Sequence, residues 1–259
     1  MTLKEWFFGS GALNPGFTNP RIEGQWGTLH IATLVSCIVL IIALALIFRR
    51  KSEKARKVVL WIFVGAILLF EITRRVKNIW AMIATDSVTT DGLLYDLLPR
   101  PWCAISCWAL IIAAIFRKKY MYNAASIMAL LCAIIFFAYP GAGFNNELIE
   151  FENLYSIATH SLLLVVSITM MTLKFTEFKY KNIWKDLICF VVIFAYAIFE
   201  TYVLKIATNP LYFLPAADNE IQEIIGVSNT LYVVIYFAFL AFFINMFYLV
   251  SHIKSRRKK

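Results

Sequence analysis

Seven stretches of about twenty mostly apolar residues fill this chain, at 28–48, 58–84, 97–116, 121–139, 155–173, 186–206 and 227–250. A helix rising 1.5 Å per residue needs about 20 such residues to cross a hydrocarbon core about 30 Å thick. The second stretch is apolar only in part, because its later half reads EITRRVKN, yet apolar residues resume from Ile79 to Ala84. With 61% hydrophobic and 16% charged residues, the chain lies well away from a soluble domain, which carries about a quarter charged residues. The expected fold is all-α: a polytopic membrane protein forming a bundle of seven transmembrane helices.

The net charge of +9 would suggest nucleic acid if it were spread over one face. Here it sits in short clusters between apolar runs. The connections 49–57, 117–119 and 174–185 and the tail 251–259 hold 18 of the 25 basic residues, all on one side of the expected bundle. Eleven of the 16 acids fall on the other side. The positive-inside rule makes the basic side cytoplasmic, with the N-terminus outside and the C-terminus in the cytoplasm. Residues 1–27 then form an extracytoplasmic segment, 28–250 the transmembrane domain and 251–259 a basic cytoplasmic tail. The basic clusters also suit attraction to anionic lipid. Trp6, Phe7 and Phe8 form either a short interfacial helix or a cap on the bundle. Residues 1–27 lack the basic start, apolar run and small-residue site of a cleavable signal.

Ionisable groups inside hydrocarbon are costly and therefore candidates for function. Glu71 lies 14 residues after Lys57, Cys103 lies 14 before Arg117, His160 lies 14 before Lys174, and Glu200 lies 15 after Lys185. Each therefore stands about 21 Å above the basic edge. Four reactive side-chain types on four helices share one layer. Glu71, Arg74, Arg75 and Asn78 are spaced i, i+3, i+4, i+7, so they occupy one helical face and Glu71 can pair with either arginine. Cys103, Ser106 and Cys107 share a face of the third span. Glu200 has Lys205 or an arginine of the second span as candidate partners.

A thiol and an imidazole at one depth are the minimum equipment for nucleophilic acyl transfer, and a nearby cation favours the thiolate. Arg74 or Arg75 would supply that field or hold a lipid phosphate, while Glu71 or Glu200 would orient His160. The same residues also fit a transporter or channel lined by Glu71, Arg74, Arg75, His160 and Glu200, or a purely structural set of buried pairs. Cys37, Cys107, Cys132 and Cys189 read as small core hydrophobes, and His252 as solvated. No metal-ligand spacing, phosphate loop or soluble cofactor motif is present.

The stretch LLPRPWCAIS, Leu97 to Ser106, resembles a Leu-Pro-Leu-His-x-Cys-x-Ile pattern at the start of a span. His160 follows 57 residues later. TNPLYFLP, Thr208 to Pro215, resembles an Asn-Tyr-Met-x-Leu turn, and His30 fits a histidine at the head of the first span. Together they resemble the YwaF-type integral membrane proteins of bacteria and their relatives, the eukaryotic transmembrane protein 164 family. That resemblance implies a lipid acyltransferase. Cys103 would carry an acyl chain from a phospholipid as a thioester and pass it to a lysolipid, with His160 assisting. Pro101 stands where the pattern has histidine, Arg100 replaces an apolar residue, and Pro210 replaces the tyrosine after Asn209. The implied partners are membrane lipids, the implied location the cell membrane. A hydrolase would use the same Cys/His pair with water as acceptor.

Overall fold

A computed structural model of the chain describes residues 26–138, 144, 151–206, 209–213, 222 and 225–256. Residues 1–25, with Trp6, Phe7 and Phe8, and Thr208, Leu214 and Pro215 of the Thr208–Pro215 turn lie outside the described residues. The described residues form helices joined by turns, with no strand among them. The helices run α1 Thr28–Phe48, α2 Glu53–Ala84, α3 Thr90–Leu97, α4 Trp102–Phe116, α5 Lys119–Ala138, α6 Phe151–Thr172, α7 Ile183–Ile198 and α8 Asn229–Arg256. A 3₁₀ turn, Tyr180–Asn182, precedes α7, and a π-helix, Phe199–Leu204, prolongs it.

Helix α5 forms the centre. Fourteen of its 20 residues are buried, and it packs against α4, α6 and α7. Small side chains make this possible: Ala124, Ala125, Ser126, Ala129 and Ala133 on α5 meet a neighbour, α4, that buries Ala104, Ser106, Ala113 and Ala114. In hydrocarbon, where lipid tails are as apolar as leucine, such close backbone approach is a main source of helix association. The periphery looks different. Helix α1 buries only His30, Cys37 and Leu44, rests chiefly on α6, and turns Val39 and Leu46 outward, 60% and 77% exposed. In water such an apolar surface would aggregate; against lipid it needs no cover.

Among the described residues, five helices are long and apolar enough to cross a membrane, and a bent pair makes a sixth. The pair is α3 and α4, which meet at 59°. Within the apolar stretch 97–116 the helix proper is Trp102–Phe116, 15 residues. Two prolines cause the break. Pro99 holds Leu98 extended, at ψ 147°, because its ring clashes with a helical predecessor. Pro101 then opens α4 as its N-cap, without a side-chain cap. Helix α2 has 32 residues, but its second half carries Glu71, Arg74, Arg75 and Lys77. It lies against α4 and α6, where Glu71, Arg75 and Lys77 find partners. Its first turn is capped by Ser52, whose hydroxyl accepts the Ala55 N–H at 3.3 Å.

Candidate functional site

The i, i+4 spacing on α2 is realised between Glu71 and Arg75, with Nη1 to Oε2 at 2.5 Å. Both residues are buried. Two aromatic donors complete the carboxylate: Tyr155 Oη on α6 reaches Oε1 at 2.6 Å, and Trp108 Nε1 on α4 reaches Oε2 at 3.1 Å. Arg75 donates in turn to the Glu71 carbonyl at 3.0 Å and, through Nε, to the Leu97 carbonyl at 3.1 Å, and its guanidinium lies over Trp108. One carboxylate thus ties α2, α4 and α6 together and fastens the end of α3. A buried charge is tolerated when paired and hydrogen-bonded in this way.

Arg74 is different. Its guanidinium sits over the Tyr155 ring, 5.4 Å from the centroid, and its buried Nε has no hydrogen-bond partner. The side chain it can act on is Cys103, which lies within electrostatic reach of both Arg74 and Glu71. Cys103 is a half-buried free thiol in the first turn of α4. Pro101 contributes no cap, and the amides of Cys103 and Ala104 lie beside the sulfur. An opening helical turn offers N–H groups and a positive dipole end to the sulfur, set against its burial and the nearby Glu71 carboxylate.

His160, on α6, stacks face to face on Phe136 of α5, with centroids 3.8 Å apart. Its Nδ1 lies 2.7 Å from the Ser156 carbonyl. A carbonyl only accepts, so the neutral ring carries its proton on Nδ1 and keeps the Nε2 lone pair free. Ser156, not Glu71 or Glu200, therefore orients the imidazole. No hydrogen bond joins His160 to Cys103. The thiol lies with Glu71 and Arg74; the imidazole lies in an aromatic cluster. His30 belongs to the same cluster: its ring is 4.8 Å from Phe144, which is 5.6 Å from Phe136. His30 is almost fully buried, and neither ring nitrogen has a hydrogen-bond partner.

Glu200 lies in the π-helix, wholly buried. Tyr196 donates to its Oε1 at 2.8 Å, while Oε2 has no partner. It pairs with neither Lys205 nor an arginine of α2; its nearest cation in electrostatic terms is Arg100. Cys37, Cys107 and Cys132 are buried and Cys189 half-buried, all as free thiols.

Several partners escaped the sequence reading. Tyr155 and Trp108 complete Glu71, and Lys77, buried on α2, makes a short ion pair with Glu152 at the start of α6 while lying over Phe151. Asn78 donates to Asp96 at 2.8 Å. The available signal was chemical: a tyrosine or tryptophan inside an apolar span needs an acceptor for its polar atom. Among the described residues no group of three or more His, Cys, Asp and Glu side chains is placed to hold a metal.

No curated protein and no solved structure matches the chain. A family model does, over residues 25–251, a length that takes in every helix just described except the last residues of α8. The chain belongs to the TMEM164 family.

Proposed function

We propose that this protein moves acyl chains between membrane lipids through a thioester on Cys103. The observation that carries the reading is the setting of that thiol: it opens a helix, with the otherwise unpaired guanidinium of Arg74 beside it. Cationic neighbours and a helix N-terminus are the two features that make a cysteine nucleophilic. The Cys103 sulfur attacks the ester carbonyl of a phospholipid, and the ester C–O bond breaks. The departing lysolipid oxygen takes the proton released by the thiol. A second lysolipid hydroxyl then attacks the thioester, gives up its proton, and restores the thiol. His160, with Nε2 unprotonated, is the carrier of that proton. Resting catalytic hydrogen bonds are often unmade until substrate is present, which accommodates its position against Phe136.

In this reading α2 crosses the membrane with the other helices, giving seven spans. The N-terminus lies outside, the basic face in the cytoplasm, and the cell membrane is the site of action. The acyl donor is lipid rather than coenzyme A, because the layer of Cys103 lies on the far side from the cytoplasm. A pathway through Glu71 is less well supported, because its carboxylate is already filled by Arg75, Trp108 and Tyr155.

The test is lipid acyl exchange in vesicles holding the purified chain. Cys103→Ala is expected to abolish exchange and labelling by thiol-reactive acyl probes. His160→Gln is expected to slow exchange by about 10²–10⁴-fold, the usual worth of a general base. Exchange unchanged in Cys103→Ala overturns the proposal. Free fatty acid and lysolipid accumulating together, with no acyl chain passed to an added lysolipid, would make the enzyme a hydrolase.

A further inference from the structure

On the basic face, away from Cys103, lies a cavity of about 400 Å³ lined by Arg56, Lys57, Arg117, Lys119 and Lys174, with Glu53 as its acid. Its volume is in the range of small-molecule sites. Glu53 is taken by Lys57 at 2.6 Å. The other four cations have no carboxylate partner. They come from α2, the α4–α5 turn and the end of α6, so sequence neighbours do not account for their meeting.

Two of the four are held in place. Arg56 Nη1 donates to the Leu173 carbonyl at 2.8 Å, and Lys119 Nζ donates to the carbonyls of Lys174 and Phe175 at 2.7 and 2.9 Å. Those bonds satisfy carbonyls at the end of α6. They leave Arg56 Nε buried without an acceptor. The other two cations sit at left-handed positions, φ 56° for Arg117 and 68° for Lys174, where helices ordinarily end in glycine. Trp61, Tyr122, Leu60 and Phe175 complete the lining, an aromatic and apolar wall of the kind found where a membrane protein meets headgroups.

We propose that this cavity binds the phosphate of an anionic membrane lipid, with Arg117 and Lys174 as donors beside Arg56 and Lys119, and the aromatic wall against the lipid's glycerol and upper chain. The site is separate from Cys103 and stands whatever that thiol does. Phosphate is the group that cations meeting without carboxylate partners would recognise, and a lipid is its expected carrier because Leu60, Trp61, Tyr122 and Phe175 line the same cavity.

The experiment is native mass spectrometry of the full chain taken from vesicles of phosphatidylcholine mixed with phosphatidylglycerol. The wild type is expected to retain phosphatidylglycerol in preference to phosphatidylcholine. Arg117→Gln/Lys174→Gln, which removes no internal hydrogen bond described above, is expected to weaken retention about thirtyfold, at about tenfold per 1.4 kcal/mol and about 1 kcal/mol per basic residue. Lys51→Gln/Lys254→Gln removes equal charge elsewhere and is expected to leave retention unchanged. Equal loss in the two double variants, or none in either, overturns the site. Displacement of phosphatidylglycerol by inorganic phosphate overturns the lipid and assigns the cavity to a soluble phosphate.

Discussion

Glu71 is the residue that most constrains the interior. Its carboxylate accepts from Arg75, Tyr155 and Trp108, so losing it strands a buried guanidinium. Glu71→Leu is expected to destabilise the folded chain by about 3–5 kcal/mol, the usual effect of removing one member of a buried pair. Tyr155→Phe removes one donor and leaves the pair intact, for a loss of about 0.6–1.7 kcal/mol. Unfolding in mixed micelles measures both. A smaller loss for Glu71→Leu than for Tyr155→Phe would mean that the ion pair is not what holds α2 in place. This pair was half legible. Spacing allowed Arg74 or Arg75, and only the rotation of α2 against α4 decides for Arg75. That rotation comes from packing, which also brings in Tyr155 and Trp108 and separates His160 from the carboxylates. Depth could be counted along the chain; azimuth could not.

Among the elements, α5 packs closely on both α4 and α6, and alanine and serine make much of its contact with α4. Ala129 is fully buried, so Ala129→Leu is expected to cost about 1–3 kcal/mol through overpacking. The thermal midpoint in detergent checks this; no change would show that α5 has slack at that level. The α3–α4 break was written in the sequence as Pro99 and Pro101. The apolar run of Leu97 and Leu98 concealed it, because hydropathy does not register a missing N–H. Hydropathy likewise could not foresee the π-helix, since the sequence around Glu200 is as apolar as that of its neighbours.

For the whole molecule, the apolar runs foretold the helices well because hydrocarbon forces every backbone group to bond within its own segment. They also carried a trace of which helices are peripheral, since α1, the more apolar of the two, is the exposed one and α5 the buried one. Orientation is the matter for experiment. On intact cells, a cysteine placed by Asp91→Cys is expected to react with a membrane-impermeant maleimide, and one placed by Lys254→Cys only after permeabilisation; the reverse pattern would invert the topology. One further result follows from the short α4. Its 15 residues cover about 22 Å of a slab about 30 Å deep, and its companion turns aside at 59°. The free amides of its first turn must be met by something, so water or lipid ester groups descend to them. A bilayer drawn thinner at that elbow is the expected consequence of so short a span.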